Sequence, residues 1–517
     1  MKSEDIFNAV TELRDDQVRA GERKLHRTRT PNFRRIGALA AVLAVVILAG
    51  VAAGPWLRAA LRRSPAQTEA VPHDTGAQLV NTTTEPAKSS NGGAADTNAF
   101  SLARADYPKM APYPRDDPWH ENEAAWEAWW KCYKETHPDT DYSLGINDYL
   151  RTAVPTLLSD TGEDNRVVSP LNIYMALAML AETTTGESRE ELLTLLNVPD
   201  LESLRVQAKA LWEANYCDDG RLTELLANSL WLRDRTVYND ETVQTLAGGY
   251  YASVYSGPMG DEAYNETLRA WMNEQTGNLL EDQIRDIGMS SDTVAALVST
   301  IYYKASWVSS FSRVEEALPF HGPDGATNAV FMRRVTEDST LYTGEGFQSA
   351  GVKLNGGGQM LFLLPDEGVR PEQLLADASA LSFLLSDSGR SSTDSRQVEL
   401  TLTVPEFDVS AKLDLTEMLR EMGVRAIFDP ERANFSPLTT DTENSITVSK
   451  AQHGARLVVD EDGVLGAAYT FIEMCELGCE PQEPERAELT LNRSFLFVVT
   501  NNEGLPIFIG IVNDPKP

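Results

Sequence analysis

Hydrophobic positions in residues 141–517 recur with two alternating periods, one helical and one extended. Apolar residues spaced three and four apart predict helices over Ile146–Leu158, Leu171–Leu180, Arg189–Leu196, Thr242–Tyr250 and Tyr264–Glu274. Thr276-Gly277 gives the last of these a stop signal. Alternating or continuous apolar runs predict strands over Ala295–Tyr303, Gln359–Leu364, Val398–Val404, Ile446–Ser449 and Arg456–Val459. Two more, Ser494–Thr500 and Pro506–Val512, close the chain. Strands that must pair lie far apart in sequence, so the pattern reads as mixed α+β with large sheets and no internal repeat.

Upstream the pattern changes three times. Ile36 to Trp56 is a 21-residue run without charge, long enough at about 1.5 Å per residue to cross a hydrocarbon core of about 30 Å. It is read as a membrane anchor over residues 36–57. Residues 1–35 carry the denser basic flank and are assigned to the cytoplasm, which directs the rest of the chain outward. A cleaved signal peptide is the rival, with Val51-Ala52-Ala53 before Gly54 as its small-residue site. Residues 58–106, rich in Thr, Ala, Ser, Pro and Gly, read as a flexible tether, with a glycosylation sequon at Asn81-Thr82-Thr83. Residues 107–140 bring Trp119, Trp126, Trp129 and Trp130 at near-helical spacing in acidic surroundings. That stripe is either a ligand platform or a face that docks on the body.

Charge sharpens this division. Residues 1–63 hold 12 Lys plus Arg against 6 acids, whereas the whole 517-residue chain has a net charge of −32. An acidic body repels phosphate backbones, which excludes nucleic acid as a partner class. Four Cys cannot staple a chain of this size, and with six His they leave little material for a structural metal site. No metal and no cofactor are expected.

Catalytic chemistry is not assembled anywhere. Gly-x-Ser-x-Gly, His-Glu-x-x-His, a phosphate-binding loop and a dinucleotide fingerprint are all missing from the sequence. The acid run Asp460-Glu461-Asp462 precedes a glycine in a loop and reads as solvated charge; His453, beside an apolar strand, reads as a core histidine. The chain is therefore not expected to be an enzyme.

Several segments, in order, resemble the serpin family. Asn165-Arg166-Val167-Val168-Ser169-Pro170-Leu171 is similar to a strand-to-helix junction near the start of serpins. Leu225–Leu232 (LLANSLWL), Leu297–Phe311 (LVSTIYYKASWVSSF) and Met360–Pro365 (MLFLLP) resemble family strands. So do Pro405–Phe428, Phe495-Leu496-Phe497 and Phe508-x-Gly510-x-Val512-x-x-Pro515. The resemblance covers nearly all of residues 141–517. It implies three β-sheets, about eight to nine helices and an exposed reactive-centre loop. It also implies a mechanism without an active site, in which a serine protease cleaves the loop and the loop enters the main sheet as an extra strand.

The same resemblance assigns residues. Glu461, Gly463, Val464, Gly466, Ala467, Ala468 and Thr470 are similar to the small-residue hinge of inhibitory serpins. Counting seventeen residues from Glu461, as in that family, places the reactive bond at Leu477–Gly478. The side chains that must enter the core on insertion are then Val464, Gly466, Ala468, Thr470, Ile472 and Met474, none charged and none proline. Ser169, Ser299, Trp307, His453 and Glu406 fall at positions that control sheet opening. Two of these depart from the family: Glu406 replaces a usual Lys, and Ser299 replaces an Asn that usually partners the histidine. A weaker latch is expected from both. Leu477 suits chymotrypsin-like or elastase-like proteases. Cys475 and Cys479 bracket the reactive bond, either as free thiols or as a redox pair. The resulting expectation is a monomeric, outward-facing inhibitor anchored in a cell membrane, most simply a bacterial one. A non-inhibitory carrier, or a surface ligand-binding protein using the Trp-rich segment, is the alternative.

Overall fold

In the computed structural model the described residues are 99–114, 122–137, 143–159, 161–441, 445–464 and 485–515. The apolar run 36–57, most of the tether, the hinge from Gly466 to Thr470, the bond Leu477–Gly478 and both Cys475 and Cys479 lie outside them. No helix among the described residues is long and apolar enough to cross a membrane.

The main sheet is built around β4 (Leu222–Arg233) and β6 (Ala295–Ser306), antiparallel from Leu222↔Ala305 to Leu232↔Ala295. Outward from β4 come β5 (Ala252–Gly257), parallel to it, and β1 (Ser101–Ala103); β3 (Cys217–Asp218) pairs with the start of β4. On the other flank stand β16 (Gly463–Val464), β15 (Gln452–Val459) and β14 (Phe407–Asp414).

A second sheet runs β17 (Arg486–Thr490), β13 (Asp394–Pro405), β10 (Phe331–Gly344), β11 (Phe347–Lys353), β12 (Gln359–Pro365), β18 (Phe495–Thr500), β19 (Pro506–Val512) and β2 (Arg166–Val168). β7 (Ser312–Arg313) pairs with β10, and β8 (Leu318–Gly322) with β9 (Gly325–Ala329) makes the third sheet. Every residue of β18 and β19 is buried. Both faces of these strands are covered, which is why FLFVVT and PIFIGIV are continuous apolar runs rather than alternating ones.

The core joins the two large sheets: Tyr303 of β6 meets Phe508 of β19, and Phe407 of β14 meets Phe495 and Phe497 of β18. The helix Pro170–Glu182 lies within this core, with 11 of its residues buried. Ser169 caps it by accepting the Asn172 N–H, and Pro170 occupies the first turn, where its missing N–H costs nothing. Covered all round, this helix has little polar face. A second cluster, Trp231, Tyr255, Tyr264 and Trp271 among its members, fills the space under the helix Glu262–Gln275.

Three sequence expectations need correction. Twelve α-helices are described, not eight to nine. Without the four short ones, Glu281–Ile284, Pro371–Leu375, Asp387–Ser392 and Thr416–Glu421, eight remain, one of them Glu123–Thr136 in the Trp-rich segment. Ile446–Ser449 is not a strand; Val448 gives its N–H to Ile427 across a loop. Residues 101–103, read as tether, form β1 on the edge of the main sheet.

Candidate functional site

The site expected from sequence is the end of the main sheet where β6, β16 and β15 meet. Among the described residues, the facing edges of β6 and β15 make ladder pairs only with β16, through Gly463↔Ser306, Val464↔Ala305 and Val459↔Val464. Both pairings are antiparallel, the geometry a strand needs when it turns back from β15 to run beside β6.

Asp460 makes that turn. Its carboxylate accepts the N–H groups of Asp462 and Gly463, at 2.9 and 3.0 Å, while its own N–H donates to the Gly463 carbonyl. Aspartate is suited to this because its side chain bonds backbone two and three residues ahead. Trp307, fully buried, ties the turn down: its ring N–H donates to the Asp460 carbonyl (2.9 Å) and its backbone N–H to the Asp462 carbonyl. Phe311 donates its N–H to Glu461. Gly463 is required by space, since a Cβ there would sit 2.4 Å from the Ala305 carbonyl oxygen. Val464 is completely buried.

Glu461 does not pair with Glu406. Arg313 lies 3.1 Å from the Glu406 carboxylate instead. Burial raises the Glu406 pKa, Arg313 opposes this, and Glu461 and Asp460 add to it. Asp462 is likewise raised, by burial and then by Asp460 and Glu461. Arg313 pairs with Glu406, while Asp460 and Glu461 push up both Glu406 and Asp462.

Lower in the sheet, His453 at the start of β15 is buried and accepts the Ser169 N–H at its Nε2 (3.1 Å). Burial pushes its pKa down to about 4, so the ring is neutral and the acceptor role is open to it. No hydrogen bond joins Ser299 to the histidine among the described residues; its hydroxyl accepts from the Asn172 side chain at 2.8 Å. Ser169 and Asn172, both in the cap of the buried helix, thus bind β15 and β6 separately. Sequence reasoning missed Asn172, Arg313 and Phe311. The Asn172 signal was present, a polar residue in the first turn of an otherwise apolar helix.

The Trp-rich segment docks on the body. Trp129 donates its ring N–H to the buried Asp219 carboxylate at 3.0 Å. The Arg221 guanidinium stacks 4.5 Å from the Tyr113 ring and 5.1 Å from Trp129. Tyr107 packs on Trp212 and Tyr216, and Tyr113 gives its N–H to the Asp219 carbonyl. Among the described members of the stripe Trp130 is the exposed one, and Trp119 lies outside the described residues.

Comparison with known proteins agrees with this architecture. Residues 150–515 match the family model described as Serpin (serine protease inhibitor). Bovine Serpin A3-1 is 26% identical over 388 residues, covering 73% of this chain and 88% of the relative. Horse alpha-1-antiproteinase 2 is 27% identical over 361 residues, covering 68% and 82%. Among solved structures, the native state of the thermophilic serpin Tengpin superposes with a TM-score of 0.63 at 20% identity, covering 73% of this chain and 95% of that one. Human thyroxine-binding globulin also gives 0.63, at 21% identity, covering 73% and 100%. With the family model spanning most of the chain and the two large sheets arranged as described, this protein belongs to the serpin family.

Proposed function

We propose that the chain is a suicide-substrate inhibitor of serine proteases. A protease cleaves the loop that follows β16 at or near Leu477–Gly478. The freed strand then extends β16 down between β6 and β15, carrying the acyl-enzyme with it. One observation supports this most: β16 already holds the first two loop residues as an antiparallel strand between β6 and β15, with Val464 buried. Insertion needs only to continue that ladder, burying every second residue. Leu477 favours chymotrypsin-like or elastase-like targets with an apolar primary pocket.

The inhibitor acts as a monomer on the outer side of a membrane, held by residues 36–57 and extended from it by the tether, on a bacterial envelope in the simplest case. Cys475 and Cys479 regulate it: a disulfide between them would join both sides of the cut and stop the ends from separating. The test uses the full chain in detergent micelles with chymotrypsin-like, elastase-like and trypsin-like proteases. A complex that survives denaturing gels, with a released peptide beginning at Gly478, is the expected result. Cleavage without a covalent complex overturns inhibition and leaves a carrier role, of the kind thyroxine-binding globulin's name describes.

A further inference from the structure

Beside the upper end of β6 lies a cavity of about 120 Å³, between the sheet and the carboxyl end of the helix Glu123–Thr136. Tyr133, His137, the Gly356–Gly357 turn and Asn502 are among the residues that line it. Its floor is Glu224 of β4. Glu224 follows the alternation of Leu222 and Leu226 toward the interior and is only 3% exposed. Its Oε1 has no hydrogen-bond partner among the described residues. An apolar residue would satisfy that position without penalty, whereas an unpaired buried carboxyl is costly.

The neighbours leave the carboxyl uncompensated. Cys217 stands opposite it on β3 and Tyr303 opposite it on β6. Burial raises the pKa of the Cys217 thiol and of the Tyr303 hydroxyl, so both stay neutral near pH 7. Burial lowers that of His137. His137 Nδ1 is held by the Tyr133 carbonyl and the Thr136 hydroxyl. Arg221 is occupied outside the cavity by Asp219 and the Tyr113 and Trp129 rings. The exposed Glu503 adds a second acid at the mouth. The lining is thus acidic and aromatic, with no resident cation among the described residues.

We infer that this cavity binds a small organic cation of the amidinium or guanidinium type, with Glu224 as its counter-ion and Tyr303 as an aromatic wall. Such a group supplies the donors that Oε1 lacks and a charge that aromatic faces attract. The volume equals about four waters, which admits a cation of roughly four to six non-hydrogen atoms. The site reaches the sheet end directly: Tyr303 is two residues before Ala305, the partner of Val464. Asn355, beside the Gly356–Gly357 turn, donates to the Ser306 hydroxyl and the Trp307 carbonyl. Occupancy therefore bears on the same end of β6 that holds β16.

The test is calorimetric titration of the full chain in detergent micelles with acetamidinium and guanidinium at millimolar concentration, against acetamide and urea as neutral counterparts, in buffers matched with NaCl. Saturable one-to-one binding of the cations, at least tenfold tighter than the neutral counterparts, is expected. Burial raises the Glu224 pKa well above the usual carboxylate range. Binding below that pKa must then release about one proton, and the apparent Kd tightens toward tenfold per pH unit. Glu224→Gln should abolish the preference for the cation. Failure of the cations to bind above the NaCl baseline overturns the inference. So does equal binding of urea or acetamide, or a Glu224→Gln protein that keeps the preference. Should that variant not fold, a crystal of the unaltered protein soaked in guanidinium chloride decides the matter: the cation within hydrogen-bond distance of Glu224 Oε1 is expected, and its absence from that position overturns the inference.

Discussion

Acidification strikes the contact between His453 and Ser169. In the folded chain His453 has its pKa lowered to about 4 by burial, against about 6.5 when unfolded. The unfolded chain therefore binds the extra proton more readily. Stability linked to this group is complete above pH 6.5, declines as pH falls, and is lost by about pH 4. Between pH 7.5 and pH 5 the loss works out at about 2 kcal/mol, from a total of about 3 kcal/mol across the window. Protonation also removes the Nε2 lone pair that accepts the Ser169 N–H, which releases the cap of the buried helix from β15. The assay is denaturant unfolding at both pH values for the unaltered chain and for His453→Gln, whose side-chain carbonyl can accept the same N–H without titrating. Carboxylates titrate in both proteins and cancel in the comparison. The unaltered chain should lose about 2 kcal/mol more than the variant on acidification. Equal losses, within about 0.5 kcal/mol, would refute the reasoning and show that His453 titrates normally.

Gly463→Ala should dislodge β16, because its Cβ would meet backbone atoms of Ala305 and Ser306 that cannot swing aside; releasing Val464 alone forfeits about 1.5–3 kcal/mol. Amide exchange over residues 460–464 should quicken, and unchanged protection would contradict the packing. Trp129→Phe removes the only side-chain donor to Asp219 from the docked helix and should cost about 1–3 kcal/mol in denaturation; an undiminished midpoint would mean that the segment is held by its backbone and remaining rings. Glu406→Lys places a cation beside Glu461 and Asp460 at the expense of the Arg313 pair, and a higher thermal midpoint with slower trapping is expected; no change in either would dismiss Glu406 as a latch position. For the cysteine pair, protein whose Cys475–Cys479 disulfide is verified by mass should be cleaved without trapping and recover on reduction. Equal trapping in both states removes the switch.

The sequence by itself determined the elements whose burial is uniform or whose ends carry local signals. β18 and β19 are legible because strands covered on both faces are apolar throughout. The helix Pro170–Glu182 is legible because Ser169-Pro170 both caps it and starts it. β10 was not legible, since one face of FMRRVTEDSTLYTG is largely exposed and its charges mask the alternation. Ile446–Ser449 looked like a strand because it is apolar and β-branched, yet it found core contacts without a ladder partner among the described residues.

The site divides in the same way. The acid run Asp460-Glu461-Asp462 ahead of Gly463 could be read as a loop, because turn chemistry is local. Partnerships could not. Trp129 meets Asp219 across 90 residues, His453 meets Ser169 across 284, and Ser299 is held by Asn172 rather than by the histidine. Glu224 shows the limit most clearly. Its place on the inward face of LTELLANSLWLR is visible in the sequence. Whether a buried carboxyl meets a cation, a donor or an open cavity is decided only when helix, sheet and two distant turns close around it, because solvation and charge depend on neighbours in space rather than along the chain.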